Sequence, residues 1–437
     1  MKSPPGRPPR ACRAFRSAAV DEAIETVCAR IADESLAATF RNCLPNTLDT
    51  AVRYRPGRRP RTFVVTGDIP AMWLRDASFQ VQPYLRFAAQ DDSLRCMLAG
   101  VVNQQVEHLL ADPYANAFEE KPDQSPWAGD ETEMHPLVHE RKWELDSPCA
   151  WMRLSAGYWR ATGDLQPFDA AWRSAWKRVR AVLHEQRGEG QGSSYRFQRR
   201  TANPLDTLMS EGAGPPSASC DLVRSAFRPS DDACTFPFLV PANFMVMAAL
   251  RDVAPLLEAL GEVAEAERAR VLSRQVRSAL EMLPVPWPYE VDGFGSQLLM
   301  DDANLPSLLG LPWLGACSVD DPRYLLTRSA VLSRANPWYF EGTAARGVGS
   351  PHTGPGRVWP LALIVQALTS TDEAEIAECL QALLRSQAGT GFMHESFDCN
   401  DASRFTRPWF AWANSMFGEL ILQLHDQRPH LLRQRWS

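Results

Sequence analysis

The chain has 437 residues, 45% hydrophobic and 22% charged, which reads as a soluble globular protein with enough length for a large core. A formal net charge of −6 gives no reason to expect nucleic acid, an anionic membrane or a polyanionic substrate as partner. No run of about eighteen uninterrupted apolar residues occurs, and no apolar run follows the basic N-terminus, so a cytoplasmic protein is expected.

Helical periodicity begins early, with Val20, Ile24, Val27 and Ile31 stepping along one face. Thr62–Thr66 is a short β-branched run that predicts a strand. A helix is expected through Phe168, Trp172, Trp176, Val179 and Leu183, and Ser194–Phe197 suits one edge of a hairpin in a polar insertion. The helical face returns at Leu272, Val276, Ala279 and Leu283, and Ser370–Glu373 reads as a capping box before Ile376, Leu380 and Leu383. The 34 prolines and 25 glycines fall between these stretches and gather into no single linker, so long loops separate many helices. Ten cysteines without C-x-x-C spacing are expected to be mostly buried free thiols.

Those loops hold six chemically unusual patches, and six patches suggest six helical hairpins. Packed in a ring, an (α/α)6 barrel of the all-α class, the hairpins would bring the loops of one end into a single depression. The expected division is residues 1–44 as an N-terminal extension and first helix packing on the barrel, 45–425 as one catalytic domain and 426–437 as a tail.

The first patch, TGDIPAMWLRD, offers Trp73 as an apolar plate for a sugar face and Arg75 with Asp76 as hydrogen-bonding partners for hydroxyls. An ion pair at a helix start is the competing account. In ERKWELD, Lys142 and Asp146 are four apart and would share a helical face, where a solvated pair is the commoner reason for such spacing. The segment SAFRPSDDACTFPF places Arg228 beside Asp231 and Asp232; either acid suits a cap for a helix continuing through Phe236, yet two adjacent acids tend to split their pKa values. Catalysis is the favoured reading there. MDDANLPSLL has paired acids without Arg or an aromatic ring, so Asp301 and Asp302 are expected to cap a following helix. NPWYFEG and GSPHT bring aromatic rings near His352, although a lone His is more often structural. Last, GTGFMHESF and TRPWFAWANS put His394 and Glu395 near Arg407 and Trp409. No H-E-x-x-H or Cys/His cluster accompanies them, so no metal and no cofactor is expected.

Taken together these strings, spread from Thr66 to Leu422, resemble glycoside hydrolase family 125, the exo-acting α-1,6-mannosidases. The resemblance implies an (α/α)6 barrel and metal-independent, inverting hydrolysis of terminal non-reducing α-1,6-linked mannose. It further implies an Asp of RPSDD, Asp231 or Asp232, as general acid and Glu395 as general base, with a lean to Asp231 from related glycosidases. In an inverting enzyme the two carboxyls stand about 6.5–9.5 Å apart. Arg75, Asp76, Asp146, Arg228, His352, His394 and Arg407 are the expected hydroxyl-binding side chains, and Trp73, Trp338 or Trp409 the sugar-stacking rings. The implied partner is a mannose oligosaccharide or glycan. Another (α/α)6 glycosidase, a glycoside phosphorylase and a non-catalytic glycan-binding protein are the alternatives. An insertion at 186–219, leading into the acid loop, departs from the better-known members.

Overall fold

The structure is a computed structural model and describes residues 6–187 and 193–436; part of the insertion, 188–192, lies outside these residues. Among the described residues twelve α-helices occur: α1 (Ala18–Cys28), α2 (Glu34–Cys43), α3 (Leu74–Val81), α4 (Asp92–Ala111), α5 (Asp146–Thr162), α6 (Ala170–Arg187), α7 (Val240–Ala259), α8 (Val263–Glu281), α9 (Pro322–Val331), α10 (Pro360–Leu368), α11 (Glu373–Ser386) and α12 (Ala411–Gln427).

Two kinds of helix alternate along much of the chain. Every residue of α3 is buried, and so is nearly every residue of α10, a pattern that requires protein on all sides. By contrast α6, α8 and α11 bury one stripe and turn charged residues outward. The buried helices pack in sequence, α3 on α5, α5 on α7 and α10 on α12, and α12 returns to α3. Each also leans on an amphipathic neighbour, as α7 does on α8 and α10 on α11. Between α7 and α10 the stretch 301–316 forms no α-helix. There Asp301 accepts the N–H groups of Leu308 and Leu309 at 2.8 and 2.9 Å, and Arg153 of α5 donates to the Leu314 carbonyl at 2.6 Å. Asp301 and Asp302 therefore cap turns, because no helix follows them.

Strands are short and gather beside the starts of buried helices. Met72–Trp73 pairs antiparallel with Ala117–Phe118, which pairs with Val138–Glu140; the edge strand runs directly into α3. Phe238–Leu239 pairs with Glu290–Val291 ahead of α7, and Arg357–Val358 pairs with Ser396–Asp398 ahead of α10. The expected strand near Thr62 is Arg61–Val64, paired with Val52–Arg55. Ser194–Phe197 forms no strand; the adjacent Gln198 makes a single bridge to Glu131.

Three further local expectations change. The cap of α11 is Asp372, whose carboxylate accepts the Ala374 N–H at 2.9 Å, while Ser370 turns to Glu375. Lys142 precedes α5, so it shares no helical face with Asp146. No helix starts at Asp231 or Asp232. Instead the Arg228 N–H donates to the Asp232 carbonyl at 2.7 Å and the Asp231 N–H to the Arg228 carbonyl at 2.9 Å, closing a tight turn. All ten cysteines are free thiols, with Cys28, Cys43, Cys149, Cys234, Cys379 and Cys399 buried.

Candidate active site

The starts of α3, α5, α10 and α12 and the loop before α7 bring their residues to one pocket. Trp73, Arg75, Asp76, Asp231, His352, Glu395 and Arg407 line it, over aromatic walls of Trp359, Phe410 and Trp412. A helix N-terminus carries partial positive charge, which suits Asp76 in the first turn of α3 and Asp146 at the first position of α5.

Arg75 is the centre of this pocket. Its Nη1 reaches Glu144 at 2.5 Å and Asp146 at 2.9 Å, while Nη2 faces Asp76 at 3.4 Å and Asp231 at 4.0 Å. Burial works against its charge, but the four carboxylates more than offset that and keep it a cation. Its guanidinium also lies 5.5 Å from the Trp412 ring centroid. For Asp76, burial outweighs the Arg75 attraction and lifts the carboxyl to about 6.

Asp231 occupies the tip of the tight turn in the left-handed region, φ 67°, which an Asp tolerates better than most side chains. The turn exposes 28% of the Asp231 side chain but only 5% of Asp232. Trp73 Nε1 and Asn116 Nδ2 donate to Asp231 Oδ1 at 3.2 and 3.1 Å. Beneath the turn Lys142 Nζ donates to the Asp231 carbonyl at 2.8 Å and to Asp206 at 2.5 Å. Burial pushes the Asp231 carboxyl up, yet Lys142, a hydrogen bond from Glu144, Arg75 and His352 together hold it down at about 2. Glu144 moves the other way: burial, reinforced by repulsion from Asp231 and Asp146, drives it well above the usual carboxylate range despite Arg75. Within the pair, Glu144 is thus shifted towards its protonated form and Asp231 towards its ionised form. A pKa split was expected between Asp231 and Asp232; the partner is Glu144, which the linear proximity of the two aspartates concealed.

Asp232 instead faces His352, with Oδ1 and Nδ1 3.2 Å apart. Burial would lower the imidazole pKa, but the Asp232 hydrogen bond and the charges of Asp232, Asp231 and Glu395 raise it to about 9, so His352 is a cation at neutral pH. Opposite, Glu395 Oε1 lies 3.3 Å from Arg407 Nε, and Arg407 also reaches Asp68 at 3.4 Å.

Five expected contact residues lie outside the pocket lining. Arg228 is buried against Glu290, Nε to Oε1 2.6 Å, and braces the acid turn from behind. His394 is fully buried, stacks on Phe405 at 3.7 Å between centroids and bonds the Arg407 carbonyl at 2.9 Å. Trp409 packs against Gly67, and half-buried Trp338 packs against Phe340. Asp146 sits just behind Arg75. Sequence reasoning did not name Glu144, Asn116, Asn304, Trp359, Phe410 or Trp412 as site residues; Glu144, Asn304, Phe410 and Trp412 lie inside the patches ERKWELD, MDDANLPSLL and TRPWFAWANS, whereas Asn116 and Trp359 lie in none.

Outward the pocket opens into a cavity of about 890 Å³. Ile69, Trp73, Asp231, His352 and Arg407 line both spaces and form the neck between them. A separate cavity of about 710 Å³ beside α8, around Cys220, Arg274 and Met282, has no opposed carboxylates, and chemistry assigns the site to the acid pocket. Among the described residues no group of His, Cys, Asp and Glu is arranged to hold a metal ion.

A Schizosaccharomyces pombe protein, the meiotically up-regulated gene 157 protein, is 42% identical over 466 residues, covering 100% of this chain and 91% of that protein. The structure superposes with a TM-score of 0.90 on a Streptococcus pneumoniae metal-independent α-mannosidase in a non-productive complex with α-1,6-mannobiose, at 38% identity over 95% of this chain and 100% of the other. A bacterial glucoamylase bound to acarbose shares the fold alone, with a TM-score of 0.53 and 12% identity, covering 93% of this chain and 59% of that one. The model of the metal-independent α-mannosidases matches residues 33–422, and the chain belongs to that family, glycoside hydrolase family 125.

Proposed function

We propose that the protein is an exo-acting α-1,6-mannosidase, an inverting hydrolase built on an (α/α)6 barrel in which the 301–316 stretch takes the place of one inner helix. The observation that carries this reading is that Asp231 and Glu395 line one pocket whose outlet is the neck at Trp73 and His352.

In this reading the terminal mannose lies in the inner pocket, with Arg75, Asp76, His352 and Arg407 as hydroxyl partners. Asp231 stands at the neck, where the glycosidic oxygen leaves. The proton that oxygen needs is held on Glu144 in the empty pocket and passes through Asp231 as the C–O bond breaks. Glu395 takes a proton from the water that attacks the anomeric carbon from the opposite face, and the product is β-mannose. The proton gained by Glu395 leaves to solvent, and the Asp231–Glu144 pair regains one.

An NMR time course on α-1,6-mannobiose in phosphate-free buffer tests it. Wild type is expected to release β-mannose first, and Glu395→Gln to slow release by about 10²–10⁴-fold. First-formed α-mannose, or release that requires phosphate, would refute it.

A further inference from the structure

The outer cavity has a built feature that catalysis at the inner pocket leaves unused. Trp127 lines it with 37% of the residue exposed. One face of its indole is covered by the Arg199 guanidinium, 3.7 Å from the ring centroid. Arg199 belongs to the insertion and is fixed on every side: Nε and Nη2 grip Asp130 at 2.9 and 2.7 Å, and Nη1 reaches Glu140 at 2.9 Å and Asp206 at 3.0 Å.

The loop that carries the indole is equally restrained. The Trp127 N–H donates to Ser125 Oγ at 3.0 Å, and that hydroxyl donates to the His139 carbonyl at 2.5 Å. Glu131 and Gln198 exchange backbone hydrogen bonds at 2.8 and 3.2 Å, tying the loop to the insertion. A large apolar ring held rigid on a cavity wall, with Gln124 and Lys121 lining the same cavity, has the two surfaces a pyranose needs: a flat plate for C–H bonds and polar groups for hydroxyls. An exposed indole that only filled space would need no such bracing.

We propose that Trp127, backed by Arg199 of the insertion, is the platform for the second sugar ring of the substrate, the one that departs with the leaving group. This rests on the hydrolase reading above. It gives the insertion a role: Asp206 supports Lys142 under the acid turn while Arg199 positions the plate beyond it, so one segment couples leaving-group recognition to the placement of Asp231.

The test compares α-1,6-mannobiose with α-mannosyl fluoride, whose leaving group fills no sugar site and requires no proton. In Trp127→Ala the ratio of kcat/KM values, mannobiose over fluoride, is expected to fall about tenfold, mainly through KM. Trp127→Phe, which retains a ring, should stay within about threefold of wild type. An unchanged ratio in Trp127→Ala, or equal losses on both substrates, overturns the platform while leaving the hydrolase intact. Failure of wild type to hydrolyse either substrate removes the hydrolase reading, and the platform with it.

Discussion

At the scale of single residues, the site depends on an imbalance of charge around Arg75. Four carboxylates face one guanidinium, and burial together with repulsion from Asp231 and Asp146 shifts Glu144, fully buried among them, towards its protonated form. Glu144→Gln keeps the shape but has no proton to pass on. Its kcat on α-1,6-mannobiose should drop by about 10²-fold, in the range for loss of acid catalysis, while α-mannosyl fluoride turnover stays near wild type. Retained mannobiose turnover would mean that Asp231 draws its proton from elsewhere. The catalytic candidates Asp231 and Glu395 were legible as residues because acids beside Arg and aromatic rings are uncommon in loops. The partner that controls Asp231 was not, since it comes from another segment and is brought near only by Arg75 and Asn116.

At the scale of elements, the acid turn is held by a short list of buried bonds. Glu290, fully buried, accepts Arg228 Nε and also the N–H groups of Thr235 and Phe236 at 2.9 and 3.0 Å. Glu290→Ala leaves Arg228 buried without its carboxylate, with only the Thr235 hydroxyl as side-chain acceptor, and urea unfolding should show a loss of roughly 3–5 kcal/mol. A loss below about 1 kcal/mol would mean that the turn is braced otherwise. Helices were legible where one face is apolar, as in α1, α6 and α8. A helix cap was the competing account of the acid turn because Ser-Asp-Asp is also a cap sequence; the left-handed Asp231 and the bond from Arg228 to Asp232 exclude it, and neither is a property of the local sequence. Arg228 and His394 were similarly overread, since an Arg or His in a loop can brace the backbone as readily as touch a ligand.

At the scale of the whole molecule, titration of the site couples to stability. His352 titrates near 9 in the folded protein against an ordinary value of 6.5, so its stabilising contribution is full below 6.5 and is lost as pH rises through 9. Asp76 and Asp301, lifted by burial to about 6 and about 7, bind protons more tightly when folded and likewise favour the folded state at lower pH. Asp231, held down at about 2, works in the opposite direction only below 3.8. Melting temperature should therefore be higher at pH 5.5 than at 8.5, and His352→Gln should shrink that difference; an unaltered slope in the variant would show that His352 is not the group responsible. The helical class was legible from apolar periodicity, and the loops that separate the helices from punctuation by Gly and Pro. The non-helical 301–316 stretch was not, because its buried Asp301 and Asp302 look like ordinary caps.

The return of α12 onto α3 has a consequence for the order of synthesis. The acid turn leaves the ribosome well before Glu395, Phe410 and Trp412, and α3, buried on every side, keeps the face that meets α12 uncovered until that helix arrives. A nascent chain thus carries the Asp231 turn long before it owns a pocket, and the pocket arrives together with the closing helix instead of accumulating segment by segment.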